Sequence, residues 1–157
     1  MAKQPEPRVK LPPVEQIGIV VKDIEKTADY YTSTFGIGPF QIQDIALDDM
    51  MLYGRSVKTK FKMACAHSGQ VEIELIQPVE GDNPYIEFLS SRGEGLQHLR
   101  FRVDDLDGML AELAKEGIEP IFYHSFPDFG IAFAYLNTDK IGGVVFELIE
   151  VKEPSSA

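Results

Sequence analysis

The chain has 157 residues, 44% of them hydrophobic, which suits one compact domain or two small modules sharing a core. Fifteen basic residues against 25 acidic ones give a formal charge of −10, a balance that repels nucleic acid and anionic membranes and argues against either as a partner. No apolar run approaches the roughly 18 residues of a membrane helix, and the single cysteine, Cys65, cannot form an intramolecular disulfide.

Residues 1–13, MAKQPEPRVKLPP, are polar and proline-bearing, unlike a signal peptide, and read as a flexible tail of a cytoplasmic protein. A first module, 14–79, begins with the strand QIGIVV from Gln16. Asp23 is a candidate N-cap, Ile24, Ala28 and Tyr31 recur at helical spacing, and Gly36 follows the helix. The apolar period then drops to two through PFQIQDIALDDMMLYGR, KTKFKMACAHS and QVEIELIQP, predicting three strands. Residues 80–95 form a linker with a short helix, opened by Asn83 with Pro84 at its first position and ending near Gly93. A second module, 96–151, repeats the pattern. HLRFRVDDLDGMLAELAKEGI, from His98, overlays the first strand and helix so that Asp23 pairs with Asp105; Asp104 or Asp105 caps the helix, Leu106, Met109, Leu110 and Leu113 form its stripe, and Gly117 closes it. EPIFYHS, GIAFAYLN and GVVFELIE are its strands, and 152–157 is a second flexible tail. Each half is βαβββ, so the expected class is α+β.

Strand alternation sorts these residues into two faces. Leu99, Phe101 and Val103 must face a helix, as must Ile17, Ile19 and Val21, and Ile73 and Leu75 pair off apolar-in, as do Phe146 and Leu148. Gln16, Glu74, His98 and Glu147 then share the opposite face, two from each half. A buried carboxylate without a partner costs several kcal/mol, and here there are two, within the matching tripeptides Glu74-Leu75-Ile76 and Glu147-Leu148-Ile149. The four groups can satisfy one another by hydrogen bonds or hold a divalent cation, with oxygen and nitrogen donors suited to Zn, Ni, Co, Mn or Mg.

Repeated βαβββ modules carrying polar groups at these points resemble the vicinal oxygen chelate superfamily, the fold of glyoxalases, bleomycin-resistance proteins and dioxygenases, over nearly the whole chain. The motifs that match are VEQIGIVVKDIEKTADYY, VEIELIQP, NPYIEFLSSRGEGLQHLRFRVDDLDGMLAELAKEGI and GGVVFELIE. The resemblance implies a cup-shaped mixed sheet with metal ligands at Gln16, Glu74, His98 and Glu147. The third motif is especially similar to that of methylmalonyl-CoA epimerases, although those usually carry His at the position of Gln16 and Gln at that of Glu74. The ligand set is instead that of glyoxalase I, whose arginine for the glutathione carboxylate is replaced here by Val20. The missing His at residue 16 departs from the extradiol dioxygenases.

The resemblance implies a metal-dependent isomerase, epimerase or lyase that removes a proton α to a chelated carbonyl, with Glu147 or Glu74 as base. The expected partner is a small carbonyl compound or acyl thioester, and the expected assembly a homodimer. Alternatives of other classes are a non-catalytic small-molecule binder of the same fold and a glutathione-dependent lactoylglutathione lyase. Arg100, on the face of His98, is a candidate for an anionic part of the substrate, while Met51, Tyr53 and Phe126, the last within the aromatic segment FYHSFPDFG, are candidates for an apolar lid. Lys58, Lys60 and Lys62 share one face of their strand and read either as a phosphate contact or as protection of a sheet edge.

Overall fold

Asp23 and Asp105 play the same part in the two halves. In the computed structural model, which describes residues 1–153, each accepts a backbone N–H three residues on, from Lys26 and from Gly108, and so starts a helix after a strand. The first half runs β1 (Gln16–Val20), α1 (Ile24–Phe35), β2 (Gln43–Leu52), β3 (Arg55–Ser68) and β4 (Val71–Gly81). After α2 (Pro84–Arg92), the second runs β5 (Gly95–Arg102), α3 (Leu106–Ala114), β6 (Pro120–Phe126), β7 (Ile131–Leu136) and β8 (Val145–Val151). Most of the expected second tail, 154–157, lies outside the described residues.

In each half the last strand returns to lie parallel to the first, β4 beside β1 and β8 beside β5. β1 and β5 join the halves antiparallel, and β2 meets β6 on the far side, closing a barrel in the order β1-β4-β3-β2-β6-β7-β8-β5. The second closure is short: only Met51↔Tyr123 and Leu52↔Phe122 pair. β3 has neighbours on both sides and is not an edge. Its exposed Lys60 and half-buried Lys62 pair instead with Glu80 (3.1 Å) and Glu25 (2.8 Å).

Alternation along the strands divides the apolar side chains between three cores. Val21, Ile24, Ala28, Ala64 and Leu75 pack between α1 and the outside of the barrel. Phe101, Leu106, Leu113, Leu136 and Leu148 do so under α3, joined by Val9, Leu11 and Val14, so part of the expected N-terminal tail lies against the sheet. Inside the barrel, Met50, Phe61, Phe122, Tyr135 and Val145 surround Tyr85, sent in from α2. Full burial of each such side chain stabilises by about 1.5–3 kcal/mol. The Tyr85 and Tyr135 hydroxyls, 2.8 Å apart, satisfy each other. The aromatic segment expected to supply an apolar lid is largely strand β6, and Pro127–Phe129 forms a turn of 3-10 helix.

Candidate metal centre

Two adjacent rows of side chains cross the seam between the halves. In one, Gly18 of β1 lies between Glu74 of β4 and His98 of β5. In the next, Gln16 lies between Glu72 and Arg100, and Arg100 is opposite Glu147 of β8. Cross-strand neighbours share a face, and this face is the barrel interior.

All four expected ligands come together there, and none is more than 7% exposed. The His98 Nε2 atom is 3.1 Å from Glu147 Oε2, 3.2 Å from Gln16 Oε1 and 3.6 Å from Glu74 Oε1. One ring nitrogen has a single proton or lone pair and cannot serve three oxygens. Glu147 Oε2 is accordingly buried close to the ring yet makes no hydrogen bond. Burial pushes the Glu74 carboxyl up to about 7, the positive potential of His98 opposing and the Glu147 carboxylate adding to the shift.

Two buried acids, an imidazole and an amide oxygen fit a hard or borderline divalent ion. Donor atoms around an octahedral ion bound at about 2.1 Å stand about 3 Å apart, close to the separations found around Nε2. Among the described residues no three His, Cys, Asp or Glu side chains are already spread at coordinating geometry; the cluster is drawn in around the imidazole nitrogen.

Three neighbours that strand alternation did not single out shape the cluster. Gly18 has ordinary extended backbone, but a Cβ there would stand 1.9 Å from His98 Cε1, so the ring lies over the glycine. Glu72 Oε1 accepts from Gln16 Nε2 at 2.6 Å, turning the amide oxygen toward His98. Gln97 Oε1 is 2.6 Å from His98 Nδ1. A lone glycine inside the strand IGIV is the sequence signal for such a close approach. Cys65 Sγ stands 3.9 Å from Glu74 Oε2, and burial, with the charges of Glu74 and Glu72, pushes its thiol up, so it stays protonated and unreactive.

Of the expected substrate contacts, Arg100 lies beside the cluster, but Glu15 (3.0 Å) and Glu72 (3.6 Å) already engage its guanidinium. Phe126 meets His124 edge-on at 4.3 Å, on the inward face of β6. Met51 follows the buried Met50 and so points outward, lining a cavity of about 460 Å3 with Pro120 and Tyr123. Tyr53 sits at the β2–β3 turn and donates to Glu87 of α2 at 2.9 Å. Two surface cavities of about 990 and 740 Å3 follow the N-terminal segment and α3, and no cluster residue lines either.

The chain is similar to known proteins along most of its length. It is 28% identical to the uncharacterized protein YqjC of Bacillus subtilis over 143 residues, 88% of this chain and 92% of that one. It is 24% identical to the mitochondrial methylmalonyl-CoA epimerase of Mus musculus over 148 residues, 93% of this chain and 77% of that one. The methylmalonyl-CoA epimerase structure from Mycobacterium tuberculosis superposes with a TM-score of 0.69 at 22% identity, over 91% of this chain and 90% of that one, which is a likeness of fold. Residues 15–135, from the strand that carries Gln16 to the one that carries Tyr135, match the family described as the Glyoxalase/Bleomycin resistance protein/Dioxygenase superfamily, and the chain belongs to it.

Proposed function

We propose that the protein is a divalent-metal-dependent epimerase or isomerase that removes and returns a proton α to the carbonyl of an acyl thioester or a related small carbonyl compound. The observation that carries this reading is the buried, hydrogen-bond-free Oε2 of Glu147 beside His98. Gln16, Glu74, His98 and Glu147 would hold the ion, and a bound ion supplies Lewis-acid polarisation of the substrate carbonyl, which makes the α-proton easier to remove. Oε2 of Glu147 receives no hydrogen bond among the described residues, and Glu147 takes the proton. Gln16 has no titratable group, and His98 has its ring nitrogens directed at Gln97 and at the cluster. Glu74 is held by Gln16 and Cys65 and serves the cluster's charge. Tyr135, its ring centroid 4.9 Å from that of His98, and Phe122 belong to the buried aromatic interior beside the cluster. The likeness to methylmalonyl-CoA epimerases supports the thioester class.

The test is deuterium exchange in D2O with metal-loaded protein and a panel of acyl thioesters, hydroxy acids and ketones. Wild type exchanges the α-hydrogen of at least one, and Glu147→Gln lowers the rate by about 100-fold or more. Full exchange in Glu147→Gln would move the base to Glu74. No exchange with any compound in wild type would favour a non-catalytic binding protein of the same fold.

A further inference from the structure

Neighbouring residues of a strand point to opposite faces, so Gln97, adjacent to His98, belongs on the helix side of β5. It is not free to stay there. The pairing of β1 with β5 passes from Gly18↔His98 to Ile19↔Leu96, which makes Gln97 the extra residue of a bulge, and bulges re-aim side chains. Gln97 is 2% exposed, and its Oε1 lies 2.6 Å from His98 Nδ1.

We propose that Gln97 is a positioning residue that fixes the proton of His98 on Nδ1 and so presents Nε2 to the carboxylate pair and to the cation it would hold. The part concerning a cation rests on the metal reading above. A neutral imidazole carries its proton on one nitrogen or the other, and the group facing one nitrogen decides what the other can do. One oxygen from each of three cluster residues faces Nε2: Gln16 Oε1, Glu74 Oε1 and Glu147 Oε2 lie within 3.6 Å of it. Among the described residues, Gln97 is the hydrogen-bond partner of Nδ1. With its carbonyl oxygen toward the ring, Gln97 accepts Nδ1–H and leaves the Nε2 lone pair for an ion. With its amide reversed it would donate to Nδ1 and force the proton onto Nε2, closing that lone pair to a metal. Two further contacts keep the ring from turning away: the bare Cα of Gly18 on one side and the Tyr135 ring, centroid 4.9 Å from that of His98, on the other.

The experiment combines nitrogen and proton NMR of 15N-histidine-labelled protein with calorimetric titration of zinc. Wild type shows a slowly exchanging His98 Nδ1–H resonance both with and without zinc. In Gln97→Leu that resonance disappears and zinc affinity falls about 10- to 100-fold. Gln97→Glu, which keeps an acceptor oxygen at the same reach, restores both. A wild type whose His98 proton sits on Nε2 alone overturns the proposal, as does a folded Gln97→Leu protein that keeps the resonance and the affinity. If Gln97→Leu does not fold, wild type and Gln97→Glu decide: the resonance in both supports the proposal, and its absence from either overturns it. If wild type binds no divalent ion but shows an Nδ1–H resonance that Gln97→Leu lacks, the metal reading falls and the orientation of His98 by Gln97 stands.

Discussion

The two halves share a scaffold and differ in what the first strand carries. Shifting β1 onto β5 places Gln16 on His98 and Gly18 on Arg100, just as Asp23 falls on Asp105. Each half also contributes one glutamate from its last strand, Glu74 from β4 and Glu147 from β8. The first half leaves an empty position at Gly18, and the second half fills it with the His98 ring. In the opposite direction nothing is empty, because Arg100 occupies the equivalent place and is tied to Glu15 and Glu72. The glutamates diverge in the same sense. Glu74 receives hydrogen bonds from Gln16 and Cys65, whereas one oxygen of Glu147 receives none. A repeated fold thus supplies a symmetric pair of carboxylates, and single substitutions on the first strands decide which of them is held and which is free.

Filling the empty position is the most damaging way to break this asymmetry. In Gly18→Ala the new methyl would stand 1.9 Å from a ring atom of His98, and His98 cannot keep its place. The alanine has no difficulty with extended backbone, so the cost is overpacking, about 1–3 kcal/mol of stability. Loss of the imidazole from the cluster should lower affinity for a divalent ion by about 100-fold or more. Denaturant melts and zinc titration check the two effects separately. A variant with wild-type affinity would mean that His98 reaches the cluster in another rotamer and that Gly18 is not its cradle.

The next effect sharpens the difference between the glutamates through pH. Glu74 titrates at about 7 in the folded chain against 4.5 for an ordinary glutamate, chiefly because it is desolvated. The folded state therefore holds this proton more tightly than the unfolded state. The resulting stabilisation is complete below about pH 4.5 and is lost as pH rises through 7, roughly 3 kcal/mol in all. In chelator-treated protein the stability of wild type relative to Glu74→Gln should fall by that order between pH 4.5 and 8, measured by urea denaturation. A divalent ion needs the carboxylate ionised, so its affinity should rise over the same interval. At 100 times its dissociation constant it should add about 2.7 kcal/mol. An equal difference between the two proteins at both pH values would show that Glu74 is not buried as found.

Much of this centre was legible in the sequence because strand alternation is local. Reading alternate residues put Gln16, Glu74, His98 and Glu147 on one face, and the helix caps at Asp23 and Asp105 fixed where the strands stop. The barrel's second closure, between β2 and β6, depends on two long-range pairs and carries no motif. Gln97 was hidden because a bulge breaks the alternation that placed its neighbour. Met51 and Tyr53 show the converse: Met51 is a single residue from the buried Met50, and in a strand that step reverses the direction of the side chain.

The smallest effect concerns Arg100, and it separates a structural part from direct recognition of substrate. Arg100 Nη2 is 3.6 Å from Glu72 Oε1, the same oxygen that accepts from Gln16 Nε2 at 2.6 Å. The guanidinium therefore steadies the carboxylate that turns the Gln16 amide oxygen toward His98. In Arg100→Ala, Glu72 keeps access to water, its side chain being 22% exposed, so it remains solvated but less fixed. Zinc affinity should fall by on the order of 10-fold or less, and stability by about 1 kcal/mol or less. If Arg100 works through Glu72, the affinity falls in the absence of substrate, and KM for charged and neutral substrates moves together. If it meets the substrate directly, zinc affinity is unchanged and KM rises for the charged compound alone. The tight pairing with Glu15 and Glu72 favours the first outcome, and a selective KM effect with intact zinc binding would reverse that assignment.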